Sequence, residues 1–255
     1  MAEGDTILRA GRRLAATLTG QALNVTTPNP RGQAAGVQRL DGRVLERVET
    51  HGKHLLLRFS GGLVLHSHLG MNGAWQVCPH GAEAWRRPRN SAWIVLDGET
   101  HVAAQFGGPT LRVLTAGRLA LDPQLARLGP DILAPDFDLA TVVAGLRRAD
   151  QSRTLGESLL DQSLVAGIGN IFKCESCFAA ALSPWRTLAE TDAVQLDEVL
   201  RHARTQMLEA VSNNGRKTFS VYRHRGPCSR CGGRVRSRGQ GDANRVTWWC
   251  ERCQR

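Results

Sequence analysis

The chain has 255 residues and a formal net charge of +10, from 33 Lys and Arg against 23 Asp and Glu. That length supports a sizeable core and two or three domains, and that charge predicts a polyanionic partner, DNA or RNA first and a membrane surface second. No stretch approaches ~18 uninterrupted apolar residues and no signal peptide precedes the start, which argues against a spanning or exported protein and for an intracellular one, cytoplasmic or nucleoid-associated.

In chain order, Ile7, Leu8, Leu14, Ala15 and Leu18 recur on helical spacing, with Asp5 or Thr6 as the expected N-cap. Strands are expected at Val44–Val48 and His54–Phe59, joined by a turn at His51-Gly52-Lys53. Gly61-Gly62 then turns the chain into a strand over Leu63–Leu69. Trp93–Leu96, His101–Ala103 and Thr110–Leu114 continue the pattern. Residues 1–120 therefore read as an N-terminal helix plus an antiparallel β-sandwich. Pro123, Pro130 and Pro135 punctuate a linker, placed at 121–134. A helical domain follows at 135–219, with helices expected over Leu139–Arg148, Gly156–Leu164, Gly169–Ala181 and Asp192–Val211. Asn213-Asn214-Gly215 ends the last of them.

The last segment, 220–255, carries the strongest local signal. Cys228-Ser-Arg-Cys231 and Cys250-Glu-Arg-Cys253 are two CxxC pairs separated by residues 232–249. Four thiolates at this spacing close a tetrahedral Zn2+ site. Arg223, Arg225, Arg230, Arg234, Arg236, Arg238, Arg245, Arg252 and Arg255 crowd the same module, so a zinc-stapled tip that binds phosphates is expected. The other cysteines, Cys78, Cys174 and Cys177, are expected to stay thiols in a reducing compartment. Cys174-Glu-Ser-Cys177 has no partner pair nearby and reads as buried thiols on a helix.

A second motif is the run Leu159–Ile171, where an apolar helix ends in Gly167-Ile168-Gly169 and a new helix starts near Asn170. The glycines let backbone approach a ligand closely, and the helix start suits a phosphate. The same arrangement also serves as a packing device.

These landmarks occur together with Ala2-Glu3-Gly4-Asp5-Thr6, Gly52-Lys53-His54 and His68-Leu69-Gly70-Met71. In this order, and over nearly the whole chain, they resemble the Fpg/Nei family of DNA glycosylases. The resemblance implies an α+β multidomain fold: an N-terminal helix with a β-sandwich, a helix–two-turn–helix domain and a C-terminal β-hairpin zinc finger. It implies a base-excision-repair enzyme with an associated AP lyase activity, acting as a monomer on damaged double-stranded DNA. Members lose the initiator Met, and the exposed α-amine attacks C1′ of the damaged nucleotide. An α-amine has a pKa near ~8, so a useful fraction is unprotonated at neutral pH.

Carried onto this sequence, the catalytic set is Ala2 as nucleophile, Glu3 as acid/base, Lys53 at a hairpin tip and Arg245 in the finger. Met71 matches a residue that fills the gap left by a flipped nucleotide, against the alternative of a core methionine. Asn170, with Gly167 and Gly169, matches the phosphate-contacting turn. His66 and His68 share a strand face and read as structural or backbone-contacting. The sequence departs from the family at the nucleophile, where Ala2 stands in place of the usual proline. The alternative is therefore a catalytically impaired damaged-DNA-binding protein of the same fold. Residues 215–221 leave no room for the long loop of the Fpg-like branch, so the Nei-like branch and oxidised pyrimidines are favoured.

Overall fold

A computed structural model describes residues 2–82, 84–224 and 226–255, and the chain forms two compact units, Met1–Ala126 and Arg127–Arg255. In the first, helix α1 (Gly4–Leu18) precedes β1 (Asn24–Thr26), the short α2 (Pro30–Ala34), β2 (Leu45–His51), β3 (His54–Phe59), β4 (Leu63–His68) and β5 (Ala74–Pro79). β6 (Ile94–Asp97), β7 (His101–Phe106), β8 (Thr110–Thr115), α3 (Ala116–Ala120) and α4 (Pro123–Ala126) complete it. Antiparallel pairing builds two four-stranded sheets, ordered β2-β3-β4-β8 and β1-β6-β7-β5.

Ile7, Leu14 and Leu18 of α1 share one face, and they bury it in a common core with Leu55, Leu57, Phe59, Leu65, Ile94 and Leu96 of the two sheets. β3 is buried on both sides, because its other face packs Leu56, with Val64, under Leu119 of α3. That explains why its sequence is a nearly continuous apolar run. The expected β-sandwich is therefore present. Two strands, β1 and β5, join those expected from sequence, and both lie at the edges of one sheet.

The expected cap of the first helix is corrected. α1 starts at Gly4 with Glu3 as N-cap, and Glu3 makes no side-chain capping bond. Glu3 has extended backbone, and its carbonyl accepts the N–H of Thr6 at 2.9 Å and of Ile7 at 3.2 Å. Asp5 thus falls inside the first turn, where it is fully buried.

The second unit holds α5 (Leu139–Arg148), α6 (Leu155–Leu160), α7 (Asn170–Ala179), α8 (Ala193–Ser212), β9 (Val235–Gln240) and β10 (Arg245–Cys250). Capping boxes start α6 (Thr154 with Glu157) and α8 (Asp192 with Gln195). α6 ends at Leu160, earlier than the sequence suggests. The Asp161 carboxylate takes the N–H and hydroxyl of Ser163 and the Arg153 guanidinium, so the chain turns there. α7 is buried along its length and packs Ile171, Cys174 and Phe178 against Val221, Tyr222, Cys228 and Cys250. Glu175 on the same helix accepts the backbone N–H groups of Ser220, Val221 and Tyr222 at 2.8, 3.0 and 2.7 Å. This carboxylate fixes the segment that leads from α8 into the β9–β10 hairpin. Among the described residues, no helix is long and apolar enough to cross a membrane.

Candidate active site

In the first unit the candidate residues gather around one turn. Ala2 is partly buried against the sandwich core, and its backbone N–H donates to the Gly70 carbonyl at 3.3 Å. Glu3, next in the chain, is fully buried. Carboxylates are rarely buried this completely. Met71 follows Gly70 and is 56% exposed, which rules out the core-methionine reading.

Lys53 sits at the tip of the β2–β3 hairpin. His51 pairs with His54, so Gly52 and Lys53 form a two-residue turn, and Gly52 supplies the positive φ of 56° that such a turn needs. The Lys53 cation lies near enough to His68 to help burial hold that imidazole below its usual pKa. Ala2, Met71 and, through His68, Lys53 are thus brought together.

Buried His54 and His66, with the partly buried His68, form a polar cluster that no local sequence motif announces. His54 Nδ1 and His66 Nε2 are 2.9 Å apart. Arg112 Nε donates to His66 Nδ1 at 3.1 Å, and its NH2 group donates to Asp122 at 2.5 Å. Asp122 also accepts the N–H groups of Gln124 and Leu125. Burial raises its pKa, but the Leu125 N–H, the Arg112 charge and hydrogen bond, and the Gln124 N–H outweigh that and hold it below the usual carboxylate range. The His54 and His68 rings lie 4.8 Å apart. His68 Nδ1 accepts the Gly70 N–H at 3.2 Å. Burial, then the positive potential of His68, His66 and His51, lowers the His54 pKa to about 3 against an opposing effect of Asp122. Burial and the Arg112 charge lower that of His66 to about 4.

In the second unit, Gly167 takes a φ of 106° and anchors its N–H on the Gln162 side chain at 3.0 Å. Gln162 also donates to the carbonyls of Leu160 and Ile168, so one side chain braces the whole turn. Gly169 is the N-cap of α7 and Asn170 its first residue. Asn170 Nδ2 donates to the Val246 carbonyl at 2.8 Å, and its buried Oδ1 has no hydrogen-bond partner among the described residues. Val246 adjoins Arg245, which is exposed at the start of β10. One turn further along α7, the buried Lys173 donates to Gln240 at 3.3 Å and to Thr247. Asn170 and Arg245 are thereby linked through the hairpin backbone.

The Sγ atoms of Cys228, Cys231, Cys250 and Cys253 all lie within 4.8 Å of one another. Burial, and then the neighbouring sulfurs, push Cys253 up to about 12, whereas the N–H groups of Arg230 and Cys231 outweigh burial and lower Cys228 to about 7. Four thiols this close cannot all ionise without a cation among them, so the donor set fits a bound metal ion. Cys174 and Cys177 are also buried, and neither is one of the four clustered sulfurs, although Cys174 packs in the same core as Cys228 and Cys250. Burial pushes Cys177 up to about 12, which leaves it an inert thiol.

A two-sheet sandwich with a buried acid at its N-terminus, a braced glycine turn and a four-cysteine hairpin are parts of one recognisable class of nucleic-acid-processing protein. Residues 1–114 match the family described as formamidopyrimidine-DNA glycosylase N-terminal domain, and residues 128–221 match the formamidopyrimidine-DNA glycosylase H2TH domain. The chain is 38% identical to the probable endonuclease 8 2 of Streptomyces coelicolor, covering 100% of this chain and 94% of that relative. It is 35% identical to the DNA-(apurinic or apyrimidinic site) lyase Nei2 of Mycolicibacterium smegmatis, covering 100% and 99%. The crystal structure of MutM (Fpg) from Thermus thermophilus is similar at 28% identity and a TM-score of 0.81, over 99% and 98% of the two chains. Lactococcus lactis Fpg, solved non-covalently bound to DNA containing an AP site, shares the fold at a TM-score of 0.83 and 20% identity, over 100% of both chains. The chain belongs to the Fpg/Nei (formamidopyrimidine-DNA glycosylase and endonuclease VIII) family of DNA glycosylases.

Proposed function

We propose that the protein is a bifunctional DNA glycosylase and AP lyase that removes oxidised bases, pyrimidines in preference, from damaged double-stranded DNA. The observation that carries the reading is the position of Ala2, held by Gly70 beside the buried Glu3 and the exposed Met71. Removal of Met1 turns the Ala2 N–H into a primary amine next to a carbonyl acceptor. Its lone pair bonds to C1′ as the glycosidic bond breaks, and Glu3 manages the proton that the departing base or the opened sugar requires. Ring opening leaves an imine, and loss of a C2′ proton expels the 3′ phosphate, which cuts the strand. Met71 fills the stack once the nucleotide leaves it. Lys53, Asn170 and Arg245 each hold a DNA phosphate, with Gly167 and Gly169 letting backbone come close.

The four cysteines hold one Zn2+, which supplies structural cross-linking of the β9–β10 hairpin and no chemistry. The short 215–221 segment supports the pyrimidine preference, as do relatives named endonuclease 8 at 38% and 33% identity, beside others named formamidopyrimidine-DNA glycosylase at 32%. The protein acts as a monomer inside the cell, where one chain suffices for one lesion.

Borohydride reduction on a thymine-glycol or abasic duplex tests the proposal. A covalent protein–DNA adduct, lost when Met1 is retained, is expected. Tight binding with neither adduct nor cleavage would instead favour a damage-binding protein impaired by alanine in place of proline.

A further inference from the structure

Four polar side chains of the first unit that the amine chemistry leaves unused, those of Asp122, Arg112, His66 and His54, form a single chain of hydrogen bonds. Its direction is forced. A guanidinium has only donors, so His66 Nδ1, which receives Arg112 Nε–H at 3.1 Å, must carry a lone pair. His66 is then neutral with its proton on Nε2, and that proton goes to His54 Nδ1 at 2.9 Å. His54 is in turn neutral with its proton on Nε2. His54 directly follows Lys53 and pairs across the ladder with His68, whose Nδ1 receives the Gly70 N–H. Gly70 holds Ala2.

We infer that His66, locked as the Nε2–H tautomer by Arg112 and Asp122, is a positioning residue that fixes the His54 ring as an uncharged floor between the Lys53 hairpin and the Gly70 turn. This rests on the roles proposed above for Ala2 and Lys53. The charged and titratable groups facing the two rings are His51, His68, Arg112 and Asp122, and Lys53 faces His68 beside them. Only one of these is an acid, and its Oδ2 already receives Arg112. A second buried proton on either ring would therefore add charge beside His68 and Arg112 with no free acid to pair it.

The test uses the zinc-loaded, full-length protein. Imidazole 15N NMR at pH 7 is expected to find both His54 and His66 as neutral Nε2–H tautomers. An Nδ1–H or doubly protonated ring at either position would overturn the inference. The functional arm compares His66→Gln with His66→Phe. Glutamine can accept from Arg112 through its carbonyl and donate to His54 through its amide, whereas phenylalanine keeps the ring and loses both bonds. His66→Gln should retain most of the borohydride-trapping rate on an abasic duplex. His66→Phe should lose about ten- to a hundredfold, as expected when reacting groups shift by up to about 1 Å. Equal rates for the two variants would overturn the inference. If His66→Phe does not fold, Arg112→Met takes its place with the same expected loss. Failure of the wild-type protein to trap DNA would count against the proposed function itself, and the tautomer measurement would still decide the relay.

Discussion

The backbone N–H of Ala2 donates to the carbonyl of Gly70 at 3.3 Å, which ties the start of the chain to the turn that exposes Met71. The contact survives loss of Met1, because a terminal amine keeps N–H groups for the same acceptor. It also survives Ala2→Pro, since a terminal proline retains one N–H when neutral. Ala2→Pro is therefore expected to keep trapping and to raise its rate, because a secondary amine gives a cationic iminium directly. Blocking the N-terminus with a retained Met1 should abolish the adduct while gel-shift binding persists. Trapping by the blocked protein would move the nucleophile elsewhere.

Glu3 offers a cleaner separation of steps. It is fully buried at the N-cap of α1, and its backbone carbonyl, not its side chain, closes the first turn. Glu3→Gln keeps volume and leaves that carbonyl in place, so the thermal midpoint should change little. Excision of a damaged base should fall by at least about a hundredfold, the usual scale of general acid–base help. Cleavage at a preformed abasic site needs no base departure and should fall less. Equal losses on both substrates would mean that Glu3 acts after the base has gone.

Arg245 is exposed at the first position of β10, whereas the cysteines lie at the other end of the hairpin. Arg245→Ala should leave one zinc per chain by elemental analysis. Strand cleavage should drop on the order of a hundredfold, as for the loss of one placed donor to a developing or fixed anion. Zinc loss in this variant would mark Arg245 as structural.

Metal removal should act on a different quantity. Cys228 and Cys250 belong to the same buried cluster as Ile171, Phe178 and Tyr222, and Tyr222 meets Trp248 edge to face at 4.7 Å between ring centroids. Stripping zinc removes the cross-link that holds this cluster closed. Trp fluorescence should change, and the midpoint of unfolding should fall by on the order of 10 °C, equivalent to about 3 kcal/mol for a chain of this size. An unchanged midpoint after complete chelation would show that packing alone holds the hairpin.

Much of this was legible in the residues themselves, and the reasons are local. CxxC pairs bring their own sulfurs together, Gly52 permits the turn that presents Lys53, and capping residues such as Asp192 start helices within three positions. What escaped depends on residues far apart in the chain. Nothing local to Arg112 and His66 announces that they touch across 46 positions, and only the β4–β8 register sets them opposite each other. β1 and β5 escaped for a related reason. The first is three residues long, and the second shows no alternation, with only Val77 fully buried. The burial of Glu3 is likewise a tertiary fact, since its sequence neighbours read as an exposed helix start.

The buried histidines also make stability depend on pH, and the sign follows from the direction of the shifts. The folded pKa values, about 3 for His54 and about 4 for His66, lie below the ordinary value of 6.5. The unfolded chain therefore binds protons at a higher pH than the folded one, so protonation favours unfolding. The stabilising contribution is fully present above pH 6.5 and is lost as pH falls from there towards about 4 for His66 and about 3 for His54. Each group contributes at most about 1.4 kcal/mol per pH unit within that window. Thermal unfolding of the zinc-saturated protein should thus show a midpoint that falls steadily from pH 7 to pH 4.5. His66→Gln deletes one titrating group while keeping its hydrogen bonds, and it should make that slope shallower over the same range, where zinc release would affect both proteins equally. Superimposable slopes would show that His66 already carries a second proton in the folded protein, in which case its Nδ1 could not accept the Arg112 Nε–H.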